Sequence, residues 1–243
     1  MELRIISSGS EKGNSLLING SEGRFLCDCG LSLRSLQTQL SELWNKELDG
    51  CFLTHEHGDH AKGAVALSHN YRVPLYGSPG TLAALSTDDK KPILEPWGLS
   101  RNWPDAVTPI PVSHDAAEPF AYRVRDEAGD VGVIYDCGML SELLYLRLKG
   151  VRCLVIEMNH EPWLLHRSGR PELVIRRTEG PLGHLSNFQA WVLICELKPE
   201  FVVATHLSRM SNSPQIAAWY LNRTGAQWQI AWERETTTVN YVS

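Results

Sequence analysis

An α/β domain with two β-sheets packed face to face and helices outside is the fold this sequence predicts, and three observations predict it. Apolar runs of strand length alternate with segments of helical period. That alternation occurs twice, each β-rich half closing with helices, which is the pattern of layered sheets with external helices. At 243 residues, 43% of them hydrophobic, the chain can bury a sizeable core within one α/β domain, so a single domain over residues 1–243 is expected.

The elements follow in order. "LRIISS" and "SLLING" read as a hairpin, and "GRFLCDCG" as a strand that ends at Asp28. "SLRSLQTQLSELW" carries Leu33, Leu36, Leu40, Leu43 and Trp44 at helical spacing behind Ser32, a suitable N-cap. "GCFLT" is a short buried strand, "HAKGAVALSHNY" suits a helix, and "VPLYGS" is the next strand. From Thr87 to Pro111, Pro and Trp predict an irregular connection with short strands. The second half repeats the scheme: strands at "FAYRVRD" and "DVGVIYDCG", a helix at "MLSELLYLRLKG", and a strand at "CLVIEMN". A helix at "LSNFQAWVLICELKP", a strand at "FVVATH" and a last helix at "SPQIAAWYLNRTG" complete it. There is no short-period repeat or low-complexity segment.

Composition narrows the setting. No run approaches the ~18 apolar residues of a membrane span, and "MELRIISSGS" has none of the parts of a signal peptide, so a cytoplasmic protein without a membrane partner is expected. The six cysteines are scattered and read as core residues of a reducing compartment. A formal net charge of -5 repels polyanions, so a nucleic acid must be held by a local basic patch or by metal ions.

"FLTHEHGDH" carries the chemistry. Three histidines, a glutamate and an aspartate crowd behind an apolar strand. His55 and His57, two apart, point the same way from an extended strand end. Gly58 then lets the chain turn, and Asp59 and His60 begin the following helix aimed at a second point. One loop can thus serve two metal ions, with imidazole and carboxylate ligands that suit zinc, manganese or iron. Asp28, His114, Asp136 and His206 also lie where strands give way to loops, the usual place for working residues on an α/β scaffold. Taken alone, Asp28 or Asp136 could be a residue capping a turn.

This ordered set, Asp then His-x-His-x-Asp-His, then His, Asp and His, resembles the metallo-β-lactamase fold superfamily and runs from Asp28 to His206. The resemblance implies a four-layer αββα sandwich. It implies one metal held by His55, His57 and His114, another by Asp59, His60 and His206, and Asp136 bridging the two divalent ions. Asp28 would orient a ligand or the bridging water from behind, and an aspartate rather than a cysteine at position 136 points to the dinuclear hydrolase branch. "GHLSNFQAWVLICELKPEFVVATHLSR" is similar to the end of ribonuclease Z and related phosphodiesterases. "SGSEKGNS", "THEHGDHAKG", "SHDAAEP", "EMNHE", "GHLSN" and "HLSRMSNSP" together resemble the YycJ/WalJ-like branch, associated with DNA exonuclease activity. Here "GSEKGN" replaces a more compact Gly-Ser-Ser-Gly-Asn opening, and "EMNHE" a Glu-Ser-Asn-His-Asp.

The implied activity is a metal-dependent phosphodiesterase or nuclease, in its finest form a DNA exonuclease. Paired cations acidify a bridging water and polarise a phosphoryl oxygen. Catalytic roles fall to Asp59 and to His184, which sits at a loop-to-helix junction suited to an anion and is the candidate for protonating the leaving group. Without the resemblance His184 reads as a structural helix-end histidine. Glu157 and His160 stand behind the site, His160 either lining the cleft or tying a loop, while His69 and His166 read as surface or packing residues. Arg209 and the stretch "LLHRSGRPELVIRRTEG", with Arg167, Arg170, Arg176 and Arg177, are the candidate phosphate-binding groups, Arg176 and Arg177 foremost. That stretch could equally be a solvated loop. A small-molecule cyclic phosphodiesterase, a thioester or lactone hydrolase, and a non-catalytic binding protein are the alternatives. The oligomeric state is left open.

Overall fold

All five residues of Cys153–Glu157 are buried, as a parallel strand covered on both faces requires. In the computed structural model, which describes residues 1–9, 12–40, 47–87, 89–232 and 237–240, this strand lies in one of two sheets. In chain order the elements are β1 (Glu2–Ser7), β2 (Ser15–Gly20), β3 (Gly23–Cys27), α1 (Leu33–Gln39), β4 (Gly50–Phe52), α2 (Gly58–Ala61), α3 (Ala64–Tyr71), β5 (Pro74–Gly77), α4 (Pro79–Ala83), β6 (Ile93–Pro96) and β7 (Val107–Pro111). They continue with β8 (Phe120–Val124), β9 (Val131–Ile134), α5 (Glu142–Leu148), β10 (Cys153–Glu157), α6 (Pro162–His166), α7 (Glu172–Glu179), α8 (Asn187–Leu197), β11 (Phe201–Thr205), α9 (Pro214–Leu221), β12 (Gln227–Ile230) and β13 (Thr237–Asn240).

The first sheet has strand order β13-β1-β2-β3-β4-β5-β6 and the second β12-β11-β10-β9-β8-β7. Alternation along the strands distributes side chains between layers. Leu3, Ile5, Phe52, Val133, Val155 and Val203 fill the space between the sheets. Ile134, Leu154 and Ile156 face instead the outer helices, meeting Leu144 of α5, Leu193 and Ile194 of α8 and Ala217 of α9. Leu36 of α1, Leu67 of α3 and Leu82 of α4 cover the other sheet. The expected four-layer αββα sandwich is therefore present. All six cysteines are unpaired thiols.

Several elements differ in detail from expectation. The helix foreseen over His60 to Tyr71 is two, α2 and α3, broken at Gly63, whose amide bonds the Cys29 carbonyl and where a Cβ would collide with the Leu31 carbonyl. Of the helix foreseen from Ser32 to Trp44, Leu33–Gln39 is helical with Ser32 as its N-cap, and residues 41–46 lie outside the described residues. The arginine-rich stretch considered as a loop contains the end of α6 and all of α7. Only Ile175 and Thr178 of α7 are buried, while its Leu173 and Val174 stay exposed, so the helix adds little to the core.

Candidate metal centre

Strands β3, β9 and β11 end on the same edge of the sandwich as the loop after β4, and the residues that follow them turn sharply. Asp28, Asp136 and His206 have φ of 61°, 44° and 54°, the left-handed region that L-residues other than Gly, Asn and Asp seldom adopt. This hand turns each chain out of its strand and brings the side chains together at one edge.

Three groups of ligand atoms result, each with members within 4.8 Å of one another: His55, His57, His114 and Asp136; Asp59, His60, Asp136 and His206; and Asp136, Glu157, His184 and His206. The first two coincide with the sets expected from the sequence, and Asp136 is common to all. Its Oδ2 lies 3.4 Å from His55 Nε2, 3.3 Å from His60 Nε2 and 3.5 Å from His114 Nε2. The donor set fits divalent cations on a direct observation. The Nε2 atoms of His55, His114 and His206 are buried without a hydrogen bond, an arrangement costly unless a cation completes it.

The opposite ring nitrogens are engaged, which fixes the rings. His55 Nδ1 meets Thr54 Oγ1 at 3.0 Å, and His114 Nδ1 donates to the Gly183 carbonyl at 3.0 Å. His60 Nδ1 lies 2.6 Å from Asp28 Oδ2. Asp28 is wholly buried and also accepts from the Thr54 amide and hydroxyl, each at 2.8 Å. Burial raises its pKa, although His60 and Thr54 counteract this. Burial opposes charge on His60 too, but Asp136 and Asp28 prevail and hold its pKa well above the ordinary value. For His55, burial and the neighbouring His60 push the pKa well down, so its imidazole is neutral as a ligand must be.

Glu157, the last residue of β10, is fully buried. Its Oε1 accepts from the amides of Cys137 at 2.6 Å and Leu185 at 3.0 Å, while Oε2 is 3.0 Å from His184 Nδ1. Burial opposes charge on His184, yet Asp136 and Glu157 outweigh it and keep its pKa well above the ordinary value. With Nδ1 taken, Nε2 is the nitrogen left to act in the cleft that His184 lines. His160 is buried, its Nδ1 unpartnered, and its backbone bridges to Ser186. It belongs to none of the three ligand groups, and burial lowers its pKa to about 4.

The cleft has a volume of about 140 Å³ and includes His114, Asp115, Arg170, Arg177 and His184 in its wall. The arginines named from sequence thus separate. Arg177 and Arg170 line the cleft, Arg176 pairs along α7 with Glu172 at 2.8 Å, and Arg167 lies over the exposed Trp163 ring at 5.8 Å. Arg209 is exposed on the loop just after His206. His166 pairs with Glu179, and His69 accepts from the Lys91 amide.

Sequence reasoning missed three contributors. Asn14 Nδ2 is 3.0 Å from His60 Nε2 and 3.5 Å from Asp59 Oδ2, Thr54 links Asp28 to His55, and Asp115 meets both His114 and Arg177. Thr54 and Asp115 adjoin His55 and His114 in "FLTHEHGDH" and "SHDAAEP", so adjacency to candidate ligands was their available signal, whereas Asn14 in "SGSEKGNS" had no ligand near it in sequence.

Comparison with known proteins agrees with this geometry. The family described as "Beta-lactamase superfamily domain" matches residues 23–207. The chain is 28% identical over 228 residues to "Exodeoxyribonuclease YycJ" of Bacillus anthracis, covering 89% of this chain and 86% of that protein. Among solved structures it resembles the metallo-β-lactamase fold protein YhfI from Bacillus subtilis, with a TM-score of 0.71 at 15% identity over 98% of this chain and 99% of the other. It also resembles the short form of human tRNase Z, with a TM-score of 0.67 at 14% identity and 100% of both chains covered. At those identities the solved structures speak for the fold alone, while the family match extends over most of the chain and takes in Asp28 and every candidate ligand from His55 to His206. This chain is a hydrolase of the β-lactamase superfamily domain family.

Proposed function

We propose that the protein is a dinuclear metal-dependent phosphodiesterase that acts on nucleic acid and cuts DNA from an end. The observation that carries this reading is His184, fixed by Glu157, standing between two cation-ready clusters and a cleft with two arginines. The similarity to a protein named as an exodeoxyribonuclease supports the choice of DNA.

When bound, two divalent cations supply an acidified water as nucleophile and positive charge for the phosphoryl oxygens. His55, His57 and His114 would hold one and Asp59, His60 and His206 the other, with Asp136 between. The chain does the rest. Asp28 and Thr54 fix the rings of His60 and His55. Asp59, within 3.5 Å of His60 Nε2 and 3.6 Å of His206 Nε2, adds the negative charge that favours the second cation. Glu157 accepts the hydrogen bond from His184 Nδ1 and favours the charged ring, which presents the Nε2 proton to the departing sugar oxygen. Arg170 and Arg177 draw the polyanion towards an otherwise acidic protein, with a contribution from Arg209.

The test is turnover of purified, metal-loaded protein on end-labelled single- and double-stranded DNA and RNA. Shortening of DNA from one end supports the reading. Failure on every nucleic acid, with efficient hydrolysis of a small cyclic or aryl phosphodiester, replaces it with a small-molecule phosphodiesterase. Preference for a thioester panel removes phosphodiester chemistry altogether.

A further inference from the structure

The cleft beside the metal centre has a charge pattern that the cleavage chemistry does not use. Its wall includes Arg170 and Arg177 with Thr178, Ser208 and Asn159, and it meets the metal centre at His114 and His184, whereas His55, His57, Asp59, His60 and His206 take no part. It therefore opens from the His114 and His184 side of the centre, with both arginines in its wall. Arg177 is held there by Asp115, whose Oδ2 accepts from the guanidinium Nε and whose Oδ1 is 3.3 Å from His114 Nε2. A carboxylate thus already stands where an incoming anion would meet Arg177.

We propose that this cleft is a subsite for a terminal phosphomonoester of the substrate, clamped by Arg170 and Arg177, with Asp115 as the internal counter-ion that the phosphate displaces from Arg177. The inference rests on the nucleic-acid reading and adds the kind of strand end it acts on.

Charge selects a phosphomonoester. An internal phosphodiester carries one negative charge, so its exchange for the Asp115 carboxylate leaves the balance at the two arginines unchanged. A phosphomonoester carries about −1.5 to −2 at neutral pH and neutralises both guanidinium groups, each able to make paired hydrogen bonds to its oxygens. Ser208 accepts from Ser211 Oγ, which leaves its own hydroxyl proton available to a further oxygen.

The experiment compares four oligonucleotides of one sequence, ending in 5′-phosphate, 5′-hydroxyl, 3′-phosphate or 3′-hydroxyl. Binding is measured by fluorescence anisotropy on the metal-free protein and cleavage on the metal-loaded protein. One phosphorylated end should be bound and cut about tenfold better than its hydroxyl counterpart, the effect of one charge-assisted pair. Arg170→Ala and Arg177→Ala should each collapse that ratio towards unity, and Asp115→Asn should tighten binding of the phosphorylated end by removing its competitor. Orthophosphate should compete for binding of the phosphorylated oligonucleotide more strongly than for the hydroxyl one. Equal binding and cleavage of all ends, or a preference that survives both arginine substitutions, overturns the subsite and leaves the nuclease reading intact. Hydrolysis of a small phosphodiester with no nucleic acid bound or cut overturns the nuclease reading and the subsite together.

Discussion

Replacing Glu157 by glutamine isolates the link between this buried carboxylate and His184. Glutamine keeps the shape, and its carbonyl oxygen can take the place of Oε1, still accepting from the amides of Cys137 and Leu185. The fold should survive. The amide NH2 then faces His184 Nδ1, a donor set against the nitrogen that donates in the native site. Nδ1 must become an acceptor, the imidazole loses the carboxylate that favours its charged form, and its pKa falls. If His184 protonates the leaving oxygen, the loss should be about 10²–10⁴-fold in kcat, or roughly 2.7–5.5 kcal/mol of barrier. Oε2 also lies 3.4 Å from His206 Nδ1, so metal affinity should fall by up to about 10–100-fold, and the assay must be run at saturating metal. The measurement is kcat on an alkoxide-leaving phosphodiester and on a p-nitrophenyl diester, for Glu157→Gln, His184→Ala and the double variant. The double variant should be no slower than His184→Ala, because the glutamate acts through the histidine. The p-nitrophenyl substrate, which needs no proton, should show a much smaller loss. Losses that multiply in the double variant, or that match on both substrates, would refute this assignment.

Elemental analysis should find about two transition-metal ions per chain, and Asp136→Ala should release both more readily than His114→Ala does, because Asp136 is shared by both ligand groups. The metal-free protein should lose stability as pH rises from about 6.5 to about 9. Burial opposes charge on His206, but Asp136 outweighs it and lifts its pKa from 6.5 to about 9, so its contribution is complete below 6.5 and gone above 9. Thermal melts in chelator should show this slope, and metal should flatten it by binding the deprotonated ring. On the acid side, burial raises the pKa of Glu157 but the charge of His184 overrides it, bringing the value from 4.5 down to about 2. The corresponding stability should disappear as pH falls from 4.5 through 2. DNA binding should weaken with salt at a slope near −0.9 per phosphate contact on duplex, and Arg177→Ala should flatten it more than Arg176→Ala, because Arg177 is in the cleft wall and Arg176 is not.

The ligand set was legible because the requirement for imidazole and carboxylate is dense in "HEHGDH" and recurs at the ends of apolar strands, two signals that survive in one dimension. The sandwich was legible for the same reason that Cys153–Glu157 is buried throughout: a run apolar on both faces needs cover on both sides. Asn14 was not, since nothing local to a glycine-rich turn shows that its amide arrives at His60, 46 residues away. Glu157 could be placed behind the site, but its four hydrogen bonds join the end of β10 to the residues after β9 and β11 and before α8, a convergence that only the packed sheet produces. Helix α7 escaped because it contributes little to the core and much to the cleft wall.

The left-handed backbone at Asp28, Asp136 and His206 separates two tasks that share one edge of the molecule. The aim of those side chains is set within a residue or two of the strand ends, whereas Arg170, Arg177 and Thr178 belong to the α6–α7 excursion between β10 and α8. The excursion touches the centre through two carbonyls, Thr178 accepting from the His184 amide and Gly183 from His114 Nδ1. Changes to its side chains that keep those two carbonyls in place would alter which molecules are admitted and leave the strand ends as they are.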